Sequence, residues 1–224
     1  MRISNTEIKY LAKQFQETYR ETIDPMIRAQ LKTDDNSLGD KIAEIVEMHA
    51  LGAAAAGLGA AWLPGAGSTA AALALVGFIW SMYFRINSAI GLKVSKTILK
   101  ALASAVMSNI AQTAMSVVGT WALATILSFT GVGNVASSLM MAALNYAIVT
   151  VGGIIYLKLL MGLFAAGKNP AEMNEGQLKR AAKSVIKNED IKSMLKNAKQ
   201  GYEDARKSGD VTGNEHIDIE DDDD

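Results

Sequence analysis

From residue 101 to residue 157 the chain runs for 57 residues without one Asp, Glu, Lys or Arg. A helix on the surface of a water-soluble core keeps charge on its outer side. An uncharged run of this length therefore limits what the chain can fold into. About 20 apolar residues cross the ~30 Å hydrocarbon core of a bilayer. A second charge-free block runs from 50 to 84. Charged segments flank and separate the two. Residues 1–47 hold 7 basic and 9 acidic residues, and residues 158–224 hold 11 and 14. The segment 85–100 has four basic residues, Arg85, Lys93, Lys96 and Lys100, and no acid.

Each uncharged block breaks once, at glycine. The long block breaks at Phe129-Thr130-Gly131-Val132-Gly133-Asn134. This predicts helical arms over about 94–128 and 135–166, both long enough to span. The short block breaks at Pro64-Gly65-Ala66-Gly67. Its arms, about 48–63 and 68–84, only just cross, or form a re-entrant hairpin. Neither tip is charged, so the basic segment and both charged ends fall on one side, which the positive-inside tendency makes cytoplasmic.

The expected fold class is all-α: an integral membrane helical protein with two apolar helical hairpins, four hydrophobic arms, and soluble amphipathic helical tails. The division is 1–47 cytoplasmic N-terminal helices, 48–84 short Gly/Ala-rich hairpin, 85–100 basic connecting segment, 101–166 long hairpin, 167–207 basic helices and 208–224 acidic tail. That tail, with its terminal aspartates, reads as disordered. In the N-terminal flank Ile8, Leu11, Phe15 and Tyr19 recur at helical spacing. Asp24-Pro25 opens a second short helix. A helix starting at Ser37 or Asp40 runs into the first arm. Asn169-Pro170-Ala171-Glu172 has the spacing of a capping box. Helices over about 175–187 and 189–207 follow. The polar start MRISNTEIKYLAKQFQ shows no cleavable signal peptide.

Small residues four apart on the first arm, among them Gly52, Ala56, Gly57 and Ala60, let helices approach closely in lipid. On the third arm Ser104, Ser108, Gln112, Ser116 and Thr120 form a small polar stripe. Asn145 and Gly152 lie on the fourth. Folding about residue 131 sets Gln112 opposite Thr150 and Ser116 opposite Tyr146, which predicts interhelical hydrogen bonds. Trp80 and Tyr83 suit a bilayer interface, with ordinary core packing as the alternative. Arg85, Lys93, Lys96 and Lys100 suit anionic lipid head groups, or the acidic N-terminal helices. His49 is placed at the mouth of the first arm.

Chemistry is sparse. With no cysteine and two histidines, His49 and His216, thiol catalysis and multi-histidine metal sites are excluded. A net charge of -1 gives no bulk attraction to nucleic acid. GLFAAGKN at 162–169 nearly matches the phosphate-binding loop, but Asn169 replaces the magnesium-binding hydroxyl and no strand precedes it. A helix end with Gly167 at its C′ position explains it better. No nucleophile–base set appears, and neither enzyme activity nor a cofactor is expected.

Four stretches carry a family likeness: the alanine-rich arm ending in LPGAG, then FIWSMYFRINSAIGLKVSK, the turn TGVGN, and AALNYAIVTVGGIIYLKLL. On these, residues 49–164 resemble the bacterial YcjF-type family, inner-membrane proteins of unknown function. Such domains are similar to ones fused to, or encoded beside, small GTPases. The resemblance implies a bacterial inner-membrane location and a GTPase partner. It brings no catalytic residue. The expected role is a non-enzymatic membrane scaffold, anchor or remodelling protein, self-associating through its small-residue faces. A pore built from the same hairpins is one alternative. A soluble or amphitropic all-α protein with a buried hairpin core is another.

Overall fold

The periodic apolar residues of the N-terminal flank do form a helix, and what that helix packs on sets the architecture. A computed structural model of the chain describes residues 6–22, 37–59, 67–126 and 133–211, with side-chain surroundings for 6–19, 37–57, 73–114 and 139–211. Every element among them is helical. In chain order these are α1 (Thr6–Thr22), α2 (Leu38–Gly59), α3 (Gly67–Ile90), α4 (Lys96–Ile126), α5 (Gly133–Ala165), a 3-10 turn (Pro170–Glu172), α6 (Glu175–Asn188) and α7 (Ile191–Ser208). The expected helix at Asp24-Pro25 and most of the acidic tail lie outside the described residues.

The local signals explain the boundaries. At the end of α5, Gly167 has φ 65°, and Lys168 N–H donates to Leu163 O at 2.9 Å. Gly167 N–H donates to Phe164 O at 2.9 Å. These two bonds are the Schellman pattern, so the near phosphate loop is a helix end. The expected capping box at Asn169 is instead a 3-10 turn, where Asn169 accepts from Ala171 N–H. The box sits five residues on. Asn174 Oδ1 accepts from Gln177 N–H, and Gln177 Oε1 accepts from Asn174 N–H, both at 2.9 Å. Asp190 caps α7 by accepting from the hydroxyl and N–H of Ser193, and these bonds hold its carboxyl below its usual range.

α2 and α3 form one antiparallel hairpin and α4 and α5 the other. α5 packs against every other helix. α1 runs alongside it: Phe15 and Tyr19 meet Phe164 with ring centroids 6.2 Å and 5.7 Å apart. α7 runs back along it, with Tyr202 against Tyr146 at 5.1 Å. Lys158 and Glu189, 2.6 Å apart, tie α5 to the α6–α7 junction. A β-carbon at Gly153 on α5 would stand 2.8 Å from Val46 Cγ1, so this glycine lets α2 lie close.

Among the described residues two helices are long and apolar enough to cross a membrane, over Leu73–Ile90 and Leu139–Ala165. In the second, 83% of the window is buried inside the bundle. The structure here departs from the simple reading of residues 135–166 as a lipid-facing arm. From Tyr146 onward α5 is covered by α1, α6 and α7, whose outer faces are charged. Amphipathic tails and uncharged arms share one core.

That core is testable at α1. Phe15 is fully buried, whereas Tyr10 on the opposite face is 64% exposed. Phe15→Ala is expected to lower unfolding free energy by about 3–5 kcal/mol. Tyr10→Ala should change it by less than about 0.5 kcal/mol, both measured by urea unfolding.

Candidate functional site

The packing seams come first. On α2, Gly52 and Gly57 are buried, while Ala56 faces outward. Ala60 lies outside the described residues. A β-carbon at Gly57 would stand 3.2 Å from Ala142 Cα, so only glycine lets α2 meet α5 here. Just below, Asn145 Nδ2 donates to Ala53 O at 3.2 Å.

The seam of α3 on α5 is polar inside. Tyr83 is fully buried, stacked on Tyr156 with centroids 3.9 Å apart. Its hydroxyl donates to Gly152 O at 3.0 Å. Tyr156 donates to Asn87 Oδ1 at 2.6 Å. Tyr83 thus stands in the interior, not at a bilayer interface. Asn87 was not legible as a partner in the sequence, because no helical spacing links residues 69 apart.

The polar stripe of α4 points elsewhere than expected. Ser104, Ser108 and Gln112 are exposed, and Ser108 donates to Ser104 O within its own helix at 2.8 Å. Thr150 is wholly buried, and Tyr146 faces α7, so the hydrogen bond from Gln112 to Thr150 does not form. The side chain of Ser116 lies outside the described ones.

The basic segment sits at the junction of α3 and α4. Lys100 Nζ lies 4.4 Å from the centre of the Trp80 ring, and Lys96 Nζ lies 5.7 Å from that of Phe84. Such cation–π placement holds the ammonium groups over apolar surface. Trp80 is 6% exposed beneath Lys100. Lys93 is exposed and Arg85 half-buried.

Among the described residues, the hairpin stretches 67–72, 115–126 and 133–145, away from that junction, carry no Asp, Glu, Lys or Arg. The stretch of α5 from 133 to 145 lies beyond the Tyr146–Tyr202 contact and is about 20 Å long at 1.5 Å per residue. At its margin Leu73 is 66% and Leu139 is 39% exposed.

His49 is buried between α2 and α3 and not at a mouth, with 1% exposure. Its Nδ1 lies 2.6 Å from Ile45 O. A carbonyl only accepts, so the proton is on Nδ1, and Nε2 accepts from Ser81 Oγ at 3.2 Å. This resembles a serine–base pair, but Ser81 is 2% exposed and no carboxylate orients the ring. It is a core hydrogen bond between two helices. Among the described residues no group of three or more His, Asp or Glu could hold a metal ion.

Comparison with family models, curated proteins and solved structures gives no match.

Burial pushes the His49 pKa down to about 4, with Arg85 lowering it further against the opposing bond to Ile45 O. The unfolded chain binds the proton near pH 6.5. Stability is therefore whole above pH 6.5 and falls as pH drops toward 4. Between pH 7 and 4.5 the protein should lose about 2–3 kcal/mol more than His49→Gln does. Urea midpoints at the two pH values measure this; equal losses would remove His49 as the cause.

Proposed function

We propose that this protein is a non-enzymatic membrane anchor or scaffold whose uncharged end enters the bilayer while α1, α6 and α7 remain in water. The carrying observation is the segregation along the bundle axis. The uncharged stretch of α5 from 133 to 145, about 20 Å long, lies beyond the Tyr146–Tyr202 contact, its lower part still flanked by the last turns of α7, and the charged helices pack on the rest of α5. A span needs ~30 Å. With the collar docked, this end reaches into one leaflet and stops short of the other face. Full crossing by Leu139–Ala165 requires α1 and α7 to leave α5.

Ala56 and the Ser104, Ser108 and Gln112 stripe face outward, and small residues of this kind suit contact with a second copy. The resemblance to the YcjF-type family supports a bacterial inner membrane, cytoplasmic termini and a GTPase docking on the collar.

A second reading is favoured by the 83% burial of the Leu139–Ala165 window. A bundle that covers its most apolar helix so fully also persists in water, which makes the protein amphitropic. The outward direction of Ser104, Ser108 and Gln112 on α4 gives no support to a pore inside one copy.

Alkaline carbonate washing of membranes tests the proposal. The protein should stay in the pellet. Leu73→Lys with Leu139→Lys places charge on two exposed positions of the uncharged end and should cut the retained fraction about ten-fold. Release of the unsubstituted protein contradicts membrane embedding. A soluble pool with the same helical content as the bound form identifies the amphitropic case.

A further inference from the structure

Between positions 176 and 202 the collar carries seven cations and two acids, Glu189 and Asp190. Both acids are already engaged. Glu189 pairs with Lys158. Asp190 caps α7 through Ser193, and the charge of Lys192 is the smallest influence on its carboxyl. Two of the cations have partners in their own helices, Lys179 with Glu175 and Lys199 with Glu203. The other five are exposed and in no ion pair among the described residues: Arg180, Lys183 and Lys187 on α6, Lys192 and Lys196 on α7. Positions 180, 183 and 187 share one face of α6, and 192 and 196 share one face of α7. The opposite faces bury Leu178 and Ala182, and Met194, Leu195 and Ala198. Like charges at such spacing destabilise a helix, so an anionic segment laid across them relieves the repulsion.

The chain itself carries the matching charge. Residues 212–224 hold seven acids, Glu215, Asp218, Glu220 and Asp221 to Asp224, and no Lys or Arg. The last described turn shows where this segment starts. Gly209 takes φ 80°, and the N–H groups of Asp210 and Val211 both donate to Ala205 O, at 2.9 Å and 3.3 Å. Val211 is 5% exposed, so the chain is turned back onto the bundle and fixed there. The exit is acidic. Glu7, Asp204 and Asp210 line the cavity beside it, and no cation is among the lining residues. A segment of seven acids is repelled from that cavity. Lys207, at the end of α7, already faces Asp204 at 3.8 Å. Along α7, Lys196 lies about 18 Å and Lys192 about 24 Å from Ser208. At about 3.3 Å per residue, position 218 reaches about 23 Å from Val211 and position 224 about 43 Å. The acids therefore span the distance to Lys196 and Lys192 and on toward Lys187. Single exposed ion pairs contribute little. A tether holds the acids at a roughly millimolar effective concentration, so several weak pairs act together.

We propose that residues 215–224 lie on the basic faces of α6 and α7 as an acidic cover, which an acidic partner for this side of the collar has to displace. The cover needs no membrane, so it stands apart from the entry of the uncharged end into a bilayer.

The full-length protein in neutral detergent is treated with a carbodiimide, which joins a carboxylate to an amine only where the two touch. The linked peptides are identified by mass spectrometry. Tail carboxylates are expected on Lys183, Lys187, Lys192 and Lys196. Lys13 is the internal comparison. It is exposed on α1 and lies about 9 Å along that helix from Glu7, beside the exit, so tether length alone favours it over Lys192. About ten-fold more product at the four collar lysines than at Lys13 is expected. Equal product, or none from the tail, overturns the cover. Raising salt from about 0.05 M to about 1 M should remove the excess; an excess that persists is not electrostatic and overturns it too. In a mixture of unlabelled and ¹⁵N-labelled protein, links within one chain support the cover. Links between chains assign the face to a second copy and overturn it.

A second measurement removes the tail's charge. With Asp221→Asn, Asp222→Asn, Asp223→Asn and Asp224→Asn together, a polyglutamate peptide added in trans should bind about ten-fold more tightly than to the unsubstituted protein. Equal affinity overturns the cover. Adding Lys192→Ser and Lys196→Ser should cancel the gain, and both positions are exposed, so the variant keeps its fold. A gain that survives them places the peptide elsewhere and overturns the site. Retention in carbonate-washed membranes enters neither readout, so the cover and the membrane proposal fail separately.

Discussion

The structure depends on how α5 covers its own apolar surface. Over residues 146–165 it carries a single charge, Lys158, and its side chains are almost all buried. Such a helix needs either lipid or protein around it, because exposed apolar area costs about 25 cal/mol per Å². Here protein supplies the cover. α1 and α7 lay their apolar stripes on α5 and turn their charges outward. α2 approaches it through glycine, and α3 through a polar seam of tyrosines. Lys158 itself is neutralised at the margin by Glu189.

That arrangement divides the molecule along its axis. Below Tyr146 the hairpins are the centre of a bundle with a charged exterior. Above it the described parts of the hairpin helices continue uncharged, flanked at first by the last turns of α7. The basic junction of α3 and α4 lies at the other end of α3 and α4 from these uncharged stretches. A lipid contact at Lys93, Lys96 and Lys100 and a one-leaflet insertion of the tips belong to different states of the collar.

The helices themselves were legible in the sequence, and their limits follow the glycine breaks. Gly167 read correctly as a helix end, because its αL conformation is a strictly local matter. What escaped was orientation. α5 and α4 are apolar or small on all sides, so their sequences carry no strong periodic signal for which face meets which partner. The stripe of Ser104, Ser108 and Gln112 was therefore paired with α5 by hairpin arithmetic, whereas it faces out. Tyr83 and His49 looked like interface residues because an aromatic or imidazole near charge suits a membrane surface. Their hydroxyl and ring nitrogens find partners across the bundle, at Gly152 and Ser81, which no local pattern announces.

The three tryptophans, Trp62, Trp80 and Trp121, offer the most direct test of a docked collar with an inserted end. In sequence Trp62 and Trp121 lie in the charge-free hairpin stretches, while Trp80 lies in the collared half beneath Lys100. Single-tryptophan versions bound to vesicles are measured with lipids brominated near the bilayer centre. Quenching of Trp62 and Trp121 with Trp80 unaffected is the predicted result. Equal quenching of Trp80 would contradict it, since α3 would then cross the bilayer without its collar.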